Sequence, residues 1–350
     1  MGVPAIRIDL EKFRHNLDVL KAHADAHGVL LSVVTKCFRA DPKIVRVLED
    51  VAGIGLADSR IANLERMTGK HERMLLRLPQ PSRIDEVIRS SDVSLNSEIT
   101  TIRAIDRHAR FLNRKHRIIL MFDLGDLREG IYYEYFDPDV AVEIENMKNV
   151  HLEGIGTNLT CYGGLIPTPK VYARLEGIKE RIERAIGRPL AIISGGNSSS
   201  VDMLIKGKLP AFINHLRIGE ALLLGRETAY GKPLKDMHDD VFTLVAEVIE
   251  RKRKPSKPKG ETGMDAFGKK TEFPDRGPMD RAILAVGRQD ISHHDLIAEQ
   301  DYEIIGSSSD HLIVNDRKAR LKTGDTIRFK LTYGGILSLM TSPYVEKTYV

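Results

Sequence analysis

The sequence is poor in cysteine and shows neither an export signal nor a long apolar run. Its two cysteines, Cys37 and Cys161, cannot build a disulfide framework, so a reducing, cytoplasmic location is the default expectation. Charged residues appear as early as Arg7 and Asp9, and no secretory signal peptide is predicted. No stretch approaches the roughly 20 consecutive apolar residues of a membrane-spanning helix. These absences predict a soluble, cytoplasmic protein with no membrane partner.

The charge of the chain is nearly balanced. With 53 Lys and Arg against 49 Asp and Glu, the formal net charge of +4 is small for 350 residues, and no nucleic-acid partner is predicted. Hydrophobic residues at 42% and charged residues at 29% are typical of globular proteins. The length suits one large α/β barrel, which takes about 250 residues, together with a smaller domain.

Eight short apolar runs alternate with amphipathic stretches between Leu30 and about Gly225, which is the pattern of repeated βα units. The predicted strands are Leu30–Val34, Gly53–Ala57, Met74–Leu78, Val93–Leu95, Arg117–Asp123, His151–Gly156, Leu190–Ser194 and His215–Ile218. Eight such units favour a closed (β/α)8 TIM barrel over an open sheet. Ahead of them, Asp9–His27 is predicted to be a strand end followed by a helix.

After Gly225 the pattern changes to strand-like runs without long helices. The predicted strands are Val241–Ile249, Ala282–Val286, Tyr302–Ile305, His311–Val314, Thr326–Leu331 and Ile336–Met340. Arg251–Pro278 is rich in Lys, Pro and Gly and is predicted to be a long loop. We therefore predict a barrel domain over residues 1–230 and a C-terminal β-domain over 231–350, with residues 1–10 as candidates to join the β-domain.

Polar segments follow the predicted barrel strands at their carboxyl ends, where barrel active sites lie. The seventh strand runs into Ser194-Gly195-Gly196-Asn197-Ser198, and the eighth contains Arg217-Ile218-Gly219-Glu220. Glycines admit a close backbone approach, hydroxyls donate hydrogen bonds, and a helix starting near Gly219 would aim its N–H groups at an anion. A flexible turn is the alternative for such a Gly/Ser cluster, but the placement after strands seven and eight favours a phosphate site.

Lys36 follows the first predicted strand directly. A lysine at a strand end is often only a solvated charge. At the rim of an apolar barrel, across from a phosphate site, it is instead placed to form an imine with a phosphate-bearing aldehyde. The simplest such aldehyde is pyridoxal 5'-phosphate.

The order of these motifs resembles the alanine racemase-like, fold-type-III pyridoxal-phosphate proteins over nearly the whole chain. The shared motifs are Val-x-Lys ending at Lys36, Asp-x-Gly-x-x-Arg-x-Gly from Asp123 to Gly130, Ser-Gly-Gly-Asn-Ser at 194–198 and Arg-x-Gly at 217–219. Within that group the chain is similar to the alanine/ornithine racemase branch at Val33–Phe38, Leu56–Arg60, Gly125–Gly130, Gly156–Tyr162 and Gly263–Gly268. Each tract alone is weak, but their order is specific.

The resemblance implies a role for each matching residue. Lys36 corresponds to the Schiff-base lysine, and Arg217 to the partner of the pyridine nitrogen. Arg128 matches an arginine near the phenolic oxygen of the cofactor and the substrate carboxylate. The implied phosphate contacts are Ser198, the backbone N–H groups of Gly219 and Glu220, and the terminal Tyr349.

Two departures from the family pattern concern the chemistry. Asn158 stands where alanine racemases place a histidine beside the cofactor ring, and Phe267 stands where they place the tyrosine that acts as the base on the opposite face. Racemisation needs a proton donor or acceptor on each face of Cα, so a second group besides Lys36 is required. Asp265 is the nearest titratable replacement. Asp310 lies in a segment that, in the resembled enzymes, approaches the substrate from the partner subunit, which implies a homodimer with shared active sites.

The predicted function is racemisation of a free amino acid; the resemblance favours ornithine as the substrate and leaves lysine, alanine and serine open. One alternative is a non-catalytic pyridoxal-phosphate carrier, although the residues after the barrel exceed what a carrier needs. A decarboxylase or aldolase on the same fold is the other. His293-His294-Asp295 and Asp310-His311 lack a recognised metal-ligand spacing, so no metal is predicted.

Overall fold

The computed structural model describes residues 2–265, 267–268, 270, 272–299 and 301–350. In chain order the strands are β1 (Ala5–Ile8), β2 (Leu30–Val34), β3 (Ile54–Asp58), β4 (Arg73–Leu75), β5 (Val93–Asn96), β6 (His116–Asp123), β7 (Ile131–Tyr132), β8 (Val150–Thr157), β9 (Ile192–Ser194), β10 (His215–Ile218), β11 (Phe242–Pro255), β12 (Pro278–Leu284), β13 (Leu296–Ala298), β14 (Tyr302–Ser307), β15 (Leu312–Asp316), β16 (Thr326–Leu331) and β17 (Glu346–Tyr349).

The helices are α1 (Leu10–Ala26), α2 (Pro42–Glu49), α3 (Ile61–Leu64), α4 (Ile84–Ser90), α5 (Ile99–Phe111), α6 (Asp139–Glu145), α7 (Pro169–Ile186), α8 (Val201–Ile205), α9 (Glu220–Leu224) and α10 (Tyr333–Thr341). Short 3₁₀ turns cover Lys36–Phe38, Pro81–Arg83, Tyr133–Tyr135, Ser198–Ser200 and His293–Asp295. None of the described helices is both long and apolar enough to cross a membrane. The chain divides into two compact units, Phe13–His238 and, separately, the residues up to Lys12 with Asp239–Val350.

The unit Phe13–His238 is a closed barrel of parallel strands. Its hydrogen-bonded order is β5-β4-β3-β2-β10-β9-β8-β6, and the pairing of β5 with β6 closes the ring, so eight strands form the barrel within the described residues. Strand β7 adds to the outer end of β6. The predicted (β/α)8 barrel is therefore confirmed, and β2 and β10 have the predicted bounds.

The barrel interior is filled by side chains from alternate strand positions, because successive side chains of a strand point to opposite faces. The central cluster consists of Val34, Ala57, Met74, Val93, Leu95, Ile119 and Met121. Gly154 on β8 permits the close approach of β9, since a Cβ there would lie 1.8 Å from the carbonyl oxygen of Ile192. The packed interior leaves the carboxyl ends of the strands as the place for polar chemistry.

Local signals set the ends of the outer helices. Asp41 Oδ1 accepts hydrogen bonds from the backbone N–H groups of Lys43 at 3.0 Å and Ile44 at 3.4 Å, ahead of α2. Pro42 occupies the first helical position, where its missing N–H costs nothing. Thr168 caps α7 in the same way, and Gly187 ends that helix with a φ of 72°.

The second unit is built around an antiparallel sheet, which confirms the predicted β-domain architecture. The strand order is β13-β16-β11-β12-β15-β14, and β1 pairs antiparallel with β11 and parallel with β17. Along β16, exposed Thr326, Arg328 and Lys330 alternate with buried Ile327, Phe329 and Leu331. This alternation is what a sheet with one covered face requires.

Two predictions for this unit were wrong. Ile336–Met340 lies in the helix α10 rather than in a strand, because Thr332 Oγ1 accepts a hydrogen bond from the Gly335 N–H at 3.2 Å and starts a helix. Arg251–Pro278 is not all loop either. Its first part continues β11 as far as Pro255, which pairs with Pro278 on β12. Pairing with β12 keeps the charged residues 251–255 extended, and no local sequence signal indicates that pairing.

Two buried histidines stand at the starts of barrel strands β6 and β10. His116 Nε2 lies 2.8 Å from Ser94 Oγ, and His215 Nδ1 lies 2.6 Å from Ser194 Oγ. Burial lowers the pKa of His116 to about 4 and that of His215 to about 3, from an ordinary value of 6.5. Both imidazoles are therefore neutral in the folded protein near pH 7.

We expect the free energy of unfolding to fall as the pH is lowered from about 6.5 to about 4, because unfolded His116 takes up a proton there and buried His116 does not. This residue contributes up to about 1.4 kcal/mol per pH unit. Urea titrations at several pH values should give a shallower slope for His116→Gln. Burial raises the pKa of Asp58, so the effect of Asp58 on the pH dependence is opposite in sign to that of His116. Asp58 is present in both the wild type and His116→Gln, so the difference between the two slopes reports on His116. Equal slopes would contradict this account.

Candidate active site

Lys36 begins a 3₁₀ turn at the carboxyl end of β2, and its side chain is half-buried. Strand β2 neighbours β10, with Val33 opposite Ile218, so Lys36 follows beside the turn at Gly219. A Cβ on Gly219 would lie 3.2 Å from the Cβ of Val34, and the glycine therefore permits this close approach. The structure thus brings the lysine and the Gly219 turn to the same edge of the barrel.

The backbone next to Lys36 is anchored by Asp58. Thr35 Oγ1 donates a hydrogen bond of 2.6 Å to Asp58 Oδ2, and both residues are buried. The other oxygen of Asp58 accepts from the Arg60 N–H at 2.9 Å and from Asn63 Nδ2 at 3.1 Å. Burial raises the pKa of Asp58 in spite of these hydrogen bonds. The sequence prediction assigned Asp58 no role, although a carboxylate that closes an apolar strand was a visible signal.

The Gly/Ser segment after β9 is a fixed turn rather than a flexible one. Asn197 Oδ1 accepts from the Ser199 N–H at 2.9 Å, and Asn197 Nδ2 donates to the Leu159 carbonyl at 2.9 Å. Ser198 Oγ accepts from the N–H groups of Gly219 at 3.2 Å and Ala221 at 3.0 Å, at the start of α9. The hydroxyl proton of Ser198 is thereby left to be donated elsewhere.

Glu220 contributes to this turn through its backbone. Its carboxylate is directed to Arg226, whose Nη2 lies 3.0 Å from Oε1. The side chain is therefore engaged in an ion pair, and the N–H group of Glu220 is one of the first backbone donors of α9. Ser198, Gly219 and Glu220 thus lie together, as an anion-binding turn requires.

Arg217 is the most deeply buried cation of the barrel mouth, with a relative exposure of 3%. Its Nη2 donates to the Thr157 carbonyl at 2.6 Å and to Asn158 Oδ1 at 2.8 Å, and its Nη1 donates to Ser194 Oγ. Burial lowers the pKa of Arg217 to about 10, while nearby Glu129 acts to raise it. The guanidinium stays protonated at neutral pH and is held in one orientation.

Arg128 connects to Arg217 through Glu129 and Asn158, and the sequence prediction did not single out Glu129. Arg128 Nη2 donates to Glu129 Oε1 at 2.6 Å, and Asn158 Nδ2 donates to the same oxygen. Burial lowers the pKa of Arg128, but the hydrogen bond to Glu129 and the surrounding negative charges raise it by more. Arg128 and Arg217 thus place two positive charges at this edge of the barrel, beside the carboxylate of Glu129.

Two polar groups here lack a protein partner among the residues that the structure describes. One is Thr157 Oγ1, which is buried. The other is Arg217 Nε, because the hydrogen bonds that this guanidinium makes to the described residues use Nη1 and Nη2. Buried polar groups are nearly always paired with protein, water or ligand. A free donor on a fixed cation, an anion-binding turn and an adjacent lysine fit the ring nitrogen, phosphate and aldehyde of pyridoxal phosphate.

The remaining predicted residues lie in the antiparallel-sheet unit. Asp265 accepts from the Phe267 N–H at 2.9 Å in a tight turn, and Asp310 accepts from Ser309 Oγ at 2.7 Å. The Arg288 guanidinium lies 4.2 Å from the centre of the Phe267 ring. Tyr349 ends β17. Ala266, part of the Gly263–Gly268 tract, lies outside the described residues, and the roles of Asp265, Asp310 and Tyr349 stay predictions.

No metal-binding arrangement is evident in the described part of the chain. The described residues contain no group of three or more His, Cys, Asp or Glu side chains that could hold a metal ion. Cys37 is buried and Cys161 is exposed.

The chain matches known proteins over its full length. Residues 8–227 match the model of the alanine racemase N-terminal domain. An ornithine racemase from Acetoanaerobium sticklandii is 44% identical over 98% of this chain and 99% of the relative. A lysine racemase from Thermotoga maritima is 39% identical over 100% of this chain and 99% of the relative.

Solved structures agree with the fold. An alanine racemase from Bartonella henselae, solved with covalently bound pyridoxal phosphate, superposes with a TM-score of 0.74 at 17% identity, covering 100% of both chains. At this identity the likeness concerns the architecture of a barrel with a second sheet domain. The family match over residues 8–227 and the two racemase relatives show that this chain belongs to the alanine racemase family and is an amino-acid racemase.

Proposed function

We propose that this racemase acts on a basic amino acid, ornithine before lysine, with pyridoxal phosphate attached to Lys36. The observation that carries the proposal is the buried Arg217, held by three hydrogen bonds with Nε left for a ligand, on the same barrel edge as Lys36 and the Ser198 turn. The ornithine and lysine racemase relatives support the substrate class.

Several residues of the barrel would hold the cofactor. Lys36 is the attachment point, Ser198 with the N–H groups of Gly219 and Glu220 would bind the phosphate, and Arg217 Nε would face the ring nitrogen. Arg128 would lie near the phenolic oxygen and the substrate carboxylate, and Tyr349 would reach the phosphate. When bound, pyridoxal phosphate withdraws electrons from Cα of the amino acid and so makes its hydrogen acidic.

Arg217 would affect how promptly a proton returns to Cα. Burial lowers its pKa only to about 10, so the guanidinium keeps its proton near neutral pH, and a cofactor ring nitrogen bound against it would stay unprotonated. A weaker electron sink favours prompt return of a proton to Cα, which is what racemisation needs. Asn158 supports this role because its Oδ1 accepts from Arg217 Nη2 at 2.8 Å.

Proton transfer at Cα requires one group on each face. The Nζ of Lys36 would take and return the proton on one face. Asp265 would do so on the other, with Asp310 as the second candidate. Both aspartates belong to the unit that, in the resembled enzymes, serves the active site of a partner subunit, so we propose a homodimer with shared sites.

The substrate is tested by incubating the purified, cofactor-loaded protein with single enantiomers of ornithine, lysine, alanine, serine and arginine, followed by chiral chromatography. Fastest conversion of L- or D-ornithine supports the proposal. Preference for alanine would contradict the substrate class. Carbon dioxide release or aldehyde formation would indicate a decarboxylase or an aldolase, and cofactor binding without turnover would indicate a carrier. A cytoplasmic location and the absence of a nucleic-acid partner stay predictions of the sequence.

The second base and the dimer are tested together by complementation. We expect Lys36→Ala and Asp265→Ala each to be inactive, and a mixture of the two to regain up to about a quarter of wild-type activity after subunit exchange, because one site in each mixed dimer has both bases. Mixing Lys36→Ala with Asp310→Ala is the matched comparison. Demonstrated exchange without recovered activity would contradict Asp265 as the opposite-face base, and a monomer by light scattering would contradict shared sites.

A further inference from the structure

Behind Arg217, a chain of hydrogen bonds runs down into the barrel through residues that the proposed chemistry does not use. Ser194 Oγ accepts from Arg217 Nη1 and lies 2.6 Å from His215 Nδ1. On the other side of the same imidazole, Nε2 lies 2.9 Å from Ser32 Oγ. All four residues are buried. The chain therefore connects the cation at the mouth to the barrel interior.

The strand geometry explains why these side chains meet. His215 and Arg217 are two positions apart on β10, so they point to the same face, with Arg217 one step nearer the carboxyl end. Strand β10 lies between β9, which carries Ser194, and β2, which carries Ser32. His215 thus reaches one serine on each neighbouring strand.

Counting donors and acceptors decides which nitrogen of His215 carries the proton. Arginine has only donors, so Ser194 Oγ is an acceptor toward Arg217. The single hydroxyl proton of Ser194 then has one acceptor within reach among the described residues, the Nδ1 of His215. Nδ1 must be unprotonated for this, and the proton of the neutral ring lies on Nε2, which donates to Ser32 Oγ. The opposite tautomer would leave the Ser194 proton buried and unpaired.

We infer that His215, as the neutral Nε2-protonated tautomer, is a positioning residue for Arg217 that acts through Ser194. With its proton engaged by Nδ1, the Ser194 hydroxyl cannot rotate and presents a lone pair to Nη1. The hydrogen bond from Nη1 to Ser194 therefore fixes one edge of the guanidinium, while Asn158 accepts from Nη2 at the other. The proposal rests on the proposed function only in that Arg217 faces the cofactor; the hydrogen-bond arrangement itself does not depend on it.

The barrel supplies a matched control in His116. This histidine is also buried, and its Nε2 is 2.8 Å from Ser94 Oγ, but the remaining hydrogen bonds of that group lead to Asn96 and not to an arginine. A purely structural role for buried histidines predicts equal consequences for changes at His116 and His215. A positioning role predicts an effect on the chemistry at His215 alone.

The first test is the ¹⁵N spectrum of histidine-labelled wild-type protein, with the His215 signal assigned by its loss in His215→Asn. We expect the shifts of an unprotonated Nδ1 and a protonated Nε2, unchanged from pH 8 to pH 5. A proton on Nδ1, or titration near pH 6.5, would overturn the inference. This result is obtained whether or not the protein racemises any amino acid, so it separates failure of the inference from failure of the proposed function.

The second test measures how often turnover ends in keto acid, with the amino group retained by the cofactor, relative to racemisation. We expect His215→Leu to raise this ratio by at least about tenfold, because a loosened Arg217 no longer faces the ring nitrogen squarely. His215→Asn, whose carboxamide oxygen can accept from Ser194, should restore a ratio near that of wild type. His116→Leu should leave the ratio unchanged. An equal rise of the keto-acid ratio in His116→Leu, or no rise in folded His215→Leu, would overturn the positioning role. If His215→Leu does not fold, the ¹⁵N spectrum and the keto-acid ratio of His215→Asn decide instead.

Discussion

Replacing Lys36 with alanine should abolish racemisation, with kcat/KM reduced by at least about 10³-fold. In the proposed roles, the variant would lose both the covalent attachment of the cofactor and one of the two groups that move the proton at Cα, and general acid–base groups alone contribute about 10² to 10⁴ in rate. Thr35 and Asp58 hold the turn independently of the lysine side chain through a 2.6 Å hydrogen bond, so the protein should still fold.

Borohydride reduction of the wild-type protein, followed by peptide mass mapping, locates the attachment. We expect the cofactor adduct on the peptide that contains Lys36 and none in Lys36→Ala. Lys43→Ala is the control, because Lys43 is an exposed lysine a few residues further along the chain. An adduct on any other lysine, or full activity of Lys36→Ala, would refute the assignment.

The second large effect is expected from Arg217→Glu. The change removes the hydrogen bonds to Ser194, the Thr157 carbonyl and Asn158, and it places a second carboxyl group near Glu129. Burial and this negative neighbour would both raise the pKa of the new carboxyl group, so it could share a proton with the cofactor ring nitrogen. A stronger electron sink would then prolong the carbanionic state of Cα.

For Arg217→Glu we expect racemisation to slow by about 10²- to 10³-fold, as on removal of a preorganised electrostatic group, and the ratio of keto acid to racemised product to rise. Arg217→Lys is the matched control: it keeps the positive charge but not the forked geometry, so it should slow racemisation without a comparable rise in keto acid. Circular dichroism and cofactor absorbance establish that each variant is folded and loaded. Unchanged partitioning in a folded, loaded Arg217→Glu protein would contradict the role of Arg217.

Two arginines supply positive charge at the barrel edge. Arg128 donates a hydrogen bond to Glu129, and Asn158 links Glu129 to Arg217. Arginine side chains suit anionic groups such as the phosphate of the cofactor and the carboxylate common to all amino acids.

Much of the barrel could be predicted because its signals are local. Apolar runs such as Leu30–Val34 and His215–Ile218 have the length and composition of buried strands, and Asp41-Pro42 is an ordinary helix start. The motifs around Lys36, Arg128, Ser198 and Arg217 stand at strand ends, so a closed barrel places them at one edge whatever the details of packing. These features depend on residues that are neighbours in the sequence.

Two features of the second unit were not predicted, and one of them depends on contacts between distant parts of the chain. Ile336–Met340 has the composition of a strand and forms part of a helix, because a local threonine cap and burial on one side outweigh strand propensity. Arg251–Pro255 is charged and still forms a strand, because β12 supplies the partner for its backbone groups. Propensity is weak where tertiary pairing satisfies the hydrogen bonds.

From the sequence alone it follows that eight βα units form a barrel, that a sheet domain comes after them, and that a lysine and a Gly/Ser turn stand at the barrel edge. How Arg217 is held depends on the folded barrel. Ser32 and His215 are 183 positions apart in the chain and come within 2.9 Å because closure of the barrel makes β2 and β10 neighbours. No periodicity or motif encodes such a contact, since its energy arises only when the ring of strands is complete.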